Sequence, residues 1–172
     1  NRCQHVLAVV QQVHGKKHMT PTLLCVITFL SAPEGDTIHF QAHRGGALEV
    51  PENTLAAYRY AWDLGGIPEV DICSTADRVI ICLHDDTLRR TTDARVDADT
   101  PVSQLSFAAI RRWDAGRWFD ERYAGKKVPS LEEVFQEMAA RKTAEIYLDL
   151  KNVDLDQLGA LIRKHDVAKR II

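Results

Sequence analysis

The sequence predicts an α/β protein whose strands form a parallel sheet or barrel, and three observations predict it. From Thr37 onward, short apolar runs rich in β-branched residues alternate with segments whose apolar residues recur at helical spacing. Residues able to do chemistry cluster near the carboxyl ends of the strand runs, where folds of this class place their sites. A chain of 172 residues, 45% hydrophobic and 27% charged, is enough for one domain with a real core.

The elements follow in order. Thr37–Ala42 is a short strand. Asn53 is placed to cap a helix that carries Leu55, Tyr58 and Trp62 on one face and stops at Gly65-Gly66. Ile67–Cys73 and Val79–Leu83 are apolar runs joined by a polar turn at Ala76-Asp77-Arg78, which fits two more strands buried on both faces. Thr91 to Pro129 is less regular: Ser106–Trp113 reads as a short helix, and Asp114 to Gly125 as a folded loop with aromatic anchors. Ser130 and Glu133 form a capping box ahead of Leu131, Val134, Phe135, Met138 and Ala139 at helical spacing. The strand Glu145–Leu150 and the helix Leu155–Lys164 complete the pattern, and a further strand would begin in Val167–Ile172.

Domain organisation reads as an N-terminal segment, residues 1–36, followed by a domain over residues 37–172. Lys16-Lys17-His18-Met19 precedes the uncharged run Leu23–Leu30 and then Ser31-Ala32-Pro33, the order found in a secretory signal peptide, here spanning 19–32. The run is too short to span a bilayer, so no transmembrane segment is expected. The alternative is a buried strand or helix packed on the domain. The first reading places the protein in a secreted or periplasmic compartment, the second in the cytoplasm. A net charge of −2 without a long basic run argues against a nucleic-acid partner. The four cysteines, Cys3, Cys25, Cys73 and Cys82, lack zinc spacing and read as buried thiols.

Residues 43–92 carry the chemistry. They open with His43-Arg44-Gly45-Gly46, pass Pro51-Glu52-Asn53-Thr54, Glu69-Val70-Asp71 and His84-Asp85, and close with Arg90-Thr91-Thr92. Carboxylates hold a divalent cation, an arginine neutralises phosphate oxygens and imidazoles move protons near neutral pH, so the set fits metal-assisted cleavage of a phosphate ester by an enzyme. Glu69 and Asp71, two apart on a strand, point the same way and can meet one hard cation. The competing reading is a solvated strand end or two salt bridges. Glu52 and Asn53 are expected to start the helix, Asp85 to orient His84, and Gly45-Gly46 to allow close approach or positive φ. His5, His14, His18, His39 and His165 read as surface or packing residues.

These motifs, with Val128-Pro129-Ser130-Leu131-Glu132-Glu133-Val134-Phe135 and the strand ending Asp149-Leu150-Lys151, resemble the glycerophosphodiester phosphodiesterases in order and spacing. The resemblance implies a TIM-type (β/α)8 barrel, one bound Mg²⁺ or Ca²⁺, and hydrolysis of a small-molecule glycerophosphodiester to an alcohol and glycerol 3-phosphate. It further implies Glu69, Asp71 and Asp149 as metal ligands, His43 and His84 as general acid and base in an order left open, and Arg44 and Lys151 as phosphate-binding residues. Asp149 stands where glutamate is the commoner residue. The resemblance also permits attack by a neighbouring glycerol hydroxyl through a cyclic phosphate. For Lys151 the competing reading is a solvated strand-end lysine.

The chain supplies about the first four βα units of an eight-unit barrel. It is therefore expected to be a fragment of a longer product, to self-associate, or to be a poorly stable remnant. Related alternatives for function are a lysophospholipase D or sphingomyelinase D-like enzyme and a non-catalytic module that binds a phosphorylated ligand.

Overall fold

A computed structural model of the protein describes residues 40–172. The signal-like run at 19–32, the segment 1–36 as a whole, Cys3, Cys25 and the residues 37–39 of the first expected strand lie outside the described residues, as do His5, His14, His18 and His39.

Strand β2 (Ile67–Ser74) is the spine of the sheet and pairs with each of the other three strands. β1 (Gln41–Ala42) and β4 (Tyr147–Leu150) run parallel to it, with Gln41 opposite Ile67 and Asp71 opposite Asp149. β3 (Ile80–Cys82) runs antiparallel, with Ile72 opposite Cys82. β3 is thus the exception within an otherwise parallel sheet. The turn after Ser74 is far too short for the crossover that a parallel neighbour requires, so a hairpin is the only connection available. Thr75 closes that turn, its hydroxyl donating to Asp77 Oδ1 at 2.6 Å and accepting from Val79 N–H at 2.9 Å. Near residue 172, Ile171 makes an isolated parallel bridge to Ile146, and Ile172 exchanges backbone bonds with Ile146 and Leu148.

Helices α1 (Leu55–Asp63), α3 (Leu131–Ala139) and α4 (Leu155–His165) cover one face of β2 and β4. Strand alternation decides which residues meet them. Val70, Ile72 and Ile146 are fully buried with Tyr58, Leu131, Val134, Phe135 and Met138, so Glu69, Asp71 and Asp149 emerge on the opposite face. A second core of Cys73, Ile81, Leu83, Leu88, Val102, Ile110 and Val128 lies under the long connection to α3, which includes the short helix α2 (Phe107–Ile110). Both described cysteines are free and buried, as expected, and burial pushes the Cys73 thiol up to about 12 and the Cys82 thiol higher still.

Local signals behave as their chemistry dictates. Ser130 and Glu133 form the expected reciprocal capping box. The connection over 114–125 is a folded loop, with Asp114 Oδ1 accepting from the N–H groups of Gly116 at 2.8 Å and Arg117 at 2.9 Å. A Cβ on Gly116 would lie 2.0 Å from the Tyr123 carbonyl, so this loop closes only around glycine. Trp118, Phe119 and Tyr123 stack edge to face along it. No described helix is long and apolar enough to cross a membrane.

Phe135, wholly buried at the centre of the helix layer, is the side chain whose loss should be felt most. Phe135→Ala is expected to destabilise the protein by about 3–5 kcal/mol in chemical denaturation, where Leu64→Ala, at an exposed site, should change little.

Candidate active site

Parallel register brings the acidic residues together. Glu69 and Asp71 share a face of β2, and pairing of Asp71 with Asp149 sets the third carboxylate beside them. One oxygen from each lies within 4.8 Å of the other two. Such proximity is unfavourable unless positive charge enters the cluster. Partial burial, reinforced by the neighbouring Asp71 and Asp149 charges, pushes the Glu69 carboxyl above its ordinary range even though His43 pulls it down. Gln41 Nε2 donates to Glu69 Oε2 at 3.0 Å.

Asp71 is fully buried, and its two oxygens are treated differently. Asn53 Nδ2 donates to Oδ2 at 2.7 Å, while Asn53 Oδ1 accepts from the Asp71 N–H at 3.2 Å and from Tyr58 OH at 2.9 Å. Oδ1 has no hydrogen-bond partner. Lys151 Nζ lies 3.1 Å from it as an ion-pair partner and donates to Asp149 Oδ2 at 2.9 Å. A buried carboxylate oxygen left unbonded among two further carboxylates is the donor chemistry a hard divalent cation selects. The residues present therefore fit such an ion.

The expected N-cap is corrected by one residue. Thr54 caps α1, its hydroxyl accepting from Ala57 N–H at 3.2 Å, and Asn53 stands before it at φ 52°, a left-handed conformation that asparagine tolerates. Freed from capping, the Asn53 amide is turned onto Asp71. Glu52 likewise does more than start the helix. It is buried and accepts from Arg44 Nη1 at 2.9 Å and from Arg90 Nη1 and Nη2, both at 2.7 Å. Burial pushes its carboxyl up, but the bonds from Arg90 and Arg44 outweigh this and hold it below the ordinary range.

The histidine-bearing loops come next. His43 follows β1 in a tight turn whose Gly45, at φ 80°, sits so close to α1 that a Cβ would lie 2.8 Å from that of Ala57. The His43 side chain is 66% exposed, with Nε2 3.9 Å from Glu69 Oε1. Arg44, at φ 52°, turns back into the cluster, its Nε 3.6 Å from Asp71 Oδ2. His84 follows β3, one residue after Leu83 donates its N–H to the Asp71 carbonyl at 3.0 Å. Its Nδ1 lies 2.7 Å from Asp85 Oδ1, the contact expected between these neighbours. Hydrogen bonds from Arg90, aided by the one from His84, pull the Asp85 carboxyl down to about 2 against its partial burial. An ionised carboxylate only accepts, so the proton must reside on Nδ1, leaving His84 Nε2 free to take or give one.

The structure thus joins His43, Arg44, Glu69, Asp71, Asp149 and Lys151 by direct contact, and links His84 to them through Asp85, Arg90, Glu52 and Arg44. Asn53, Tyr58, Glu52 and Arg90 were not read as site residues from the sequence. Glu52, Asn53 and Arg90 do stand in the motifs of residues 43–92, and Tyr58 on the apolar face of the first helix, but the contacts each makes are set by tertiary structure. His165 is a packing residue, as expected, stacked against Phe135 and paired with Glu132. A cleft of about 230 Å³ lined by Trp62, Gly65, Ile67, Arg141 and Glu145 opens at the amino ends of β2 and β4, away from this cluster.

Comparison with known proteins gives one consistent result. Residues 43–170 match the model of the glycerophosphoryl diester phosphodiesterase family. The glycerophosphodiester phosphodiesterase of Caldanaerobacter subterraneus subsp. tengcongensis is 38% identical over 139 residues, 76% of this chain and 55% of that protein. That of Bacillus subtilis is 35% identical over 144 residues, 76% of this chain and 47% of that protein. The crystal structure of a glycerophosphodiester phosphodiesterase from Agrobacterium tumefaciens superposes with a TM-score of 0.70 at 35% identity, covering 76% of this chain and 55% of that one. An Oleispira antarctica phosphodiesterase, in complex with the product sn-glycerol-3-phosphate, superposes with a TM-score of 0.58 at 29% identity, over 74% of this chain and 49% of that one. The chain spans about half the length of the curated relatives it matches. Its partial sheet, with helices on one face and the acidic cluster on the other, is an arc of the TIM-type barrel of those structures. By family match, sequence identity and superposition, the chain belongs to the glycerophosphoryl diester phosphodiesterase family.

Proposed function

We propose that these residues form the catalytic face of a hydrolase that cleaves glycerophosphodiesters to an alcohol and glycerol 3-phosphate. The observation that carries the proposal is the convergence of Glu69, Asp71 and Asp149 beside Arg44 and Lys151, with an imidazole at 3.9 Å. The product in the Oleispira antarctica relative supports the same substrate class.

Glu69, Asp71 and Asp149 would hold one divalent cation, Mg²⁺ or Ca²⁺, which when bound supplies charge neutralisation and polarisation at a phosphoryl oxygen. Asp71 would offer Oδ1, since Asn53 occupies Oδ2. The Arg44 fork and the Lys151 ammonium supply further positive charge that binds the phosphate oxygens. His43 and His84 divide the proton transfers. One imidazole takes the proton of the attacking hydroxyl as its oxygen bonds to phosphorus, and the other protonates the leaving oxygen as its bond to phosphorus breaks. The attacking group is water, or a neighbouring glycerol hydroxyl that forms a cyclic phosphate before water opens it. Asp85 keeps His84 in the tautomer that presents Nε2.

Two outcomes are expected with the full-length protein. Thorough chelation should abolish hydrolysis of glycerophosphocholine or glycerophosphoethanolamine, and added Mg²⁺ or Ca²⁺ should restore it; turnover that survives chelation would overturn the metal assignment. His43→Ala and His84→Ala should each lower kcat by about 10²–10⁴-fold while glycerol 3-phosphate, titrated by calorimetry, still binds. Wild-type protein that binds that product but turns over no diester with any divalent ion would instead be a phosphate-ligand-binding module.

A further inference from the structure

Arg90 makes contacts that the proposed chemistry does not use. One guanidinium grips two carboxylates at once: Nε and Nη2 donate to Asp85 Oδ2 and Oδ1 at 2.7 and 2.8 Å, and Nη1 and Nη2 donate to Glu52 Oε2 and Oε1, both at 2.7 Å. Asp85 belongs to the loop after β3 and holds His84. Glu52 belongs to the loop after β1 and holds Arg44. The two loops are 38 residues apart in sequence where Arg90 meets Glu52. The grip also differs at its two ends. The Glu52 side chain is 7% exposed, so the partner that lends it charge is hard to replace, whereas the Arg90 side chain is 42% exposed and reaches in from the rim.

We propose that Arg90 and Glu52 form a positioning clamp that locks the His84 loop to the His43–Arg44 loop, so that a proton-transfer group and a phosphate-binding group from different strands are held in one register. Neither clamp residue touches the reacting atoms. Arg90 acts on His84 through Asp85, and Glu52 acts on Arg44 directly. Only a planar fork can satisfy two carboxylates this way, since an ammonium is a point charge that cannot present paired donors to both. The two halves of the clamp therefore carry different signatures. Loosening the Arg90–Asp85 side disorients His84 and falls on kcat. Loosening the Glu52–Arg44 side weakens the hold on phosphate and falls on KM.

The kinetic arm of the test rests on the hydrolase reading above; the spectroscopic arm does not. In full-length protein with wild-type circular dichroism, Arg90→Lys and Arg90→Gln are expected to lower kcat by about 100-fold, the loss typical of a misplaced catalytic group. Glu52→Gln should chiefly raise KM. Added guanidinium ion should restore part of the kcat of Arg90→Gln. ¹⁵N NMR of the His84 ring should report one tautomer, protonated at Nδ1, in wild type and a mixture in Arg90→Gln. Should Glu52→Gln fail to fold, the rim-side Arg90 variants decide alone. Wild-type kcat in folded Arg90→Lys, or an unchanged His84 tautomer in folded Arg90→Gln, overturns the clamp. Absence of turnover in wild type overturns the hydrolase reading instead, and the tautomer measurement then decides the clamp.

Discussion

Three carboxylates on one face of two parallel strands repel each other, and much of the surrounding structure answers that repulsion. The register that opposes Asp71 and Asp149 is set by ladder hydrogen bonds and by burial of Val70, Ile72 and Ile146 beneath the helices. The strands cannot slip to relieve the charge, because a one-residue shift would send the apolar set to the open face. Relief must come from outside the strands. Asn53 and Lys151 supply it at Asp71, Lys151 at Asp149, and Gln41 and His43 at Glu69.

The same logic explains the loops. Arg44 and Asn53 both adopt left-handed conformations, at φ 52°, and both aim their side chains at Asp71. Backbone held in such a conformation is maintained only where its surroundings over-determine it. Here the Asn53 N–H donates to the Arg44 carbonyl at 3.1 Å, so the two unusual residues brace each other. Glu52, lying beside Asn53 in sequence, carries the bracing onward to Arg90 and thereby to the strand β3 loop. The polar network is continuous from Tyr58, deep in the helix layer, to His84 at the rim. A network of this kind is costly to break at any buried member, because each deletion leaves a desolvated partner unsatisfied.

Most of the elements are legible in the sequence, and the exceptions have a common cause. The helices over 55–63, 131–139 and 155–165 were legible because each carries an apolar stripe and a local cap. The cap of α1 was misplaced by one position because Asn53 and Thr54 are both good caps, and what separates them is the pull of Asp71 on the asparagine amide, 18 residues away. β3 is legible as a strand, and the short turn Ala76-Asp77-Arg78 already dictates a hairpin, whereas burial on both faces is a signal that suits either direction. The pairing of Lys151 with Asp71, in place of a solvated strand end, also depends on a neighbour that comes from another strand.

What the sequence determined by itself is local or periodic: the alternation of strand and helix, the capping box at Ser130, the shared direction of Glu69 and Asp71, and the contact of His84 with adjacent Asp85. These follow from spacing along the chain, where 2.0- and 3.6-residue repeats fix which side chains share a face. Tertiary structure decided the rest. The arrival of Asp149 at Asp71, the single bonded oxygen of Asp71, and the grip of Arg90 on Glu52 depend on register between elements distant in sequence. That register is chosen by which apolar faces bury together, and the polar groups are then carried to wherever the packing puts them.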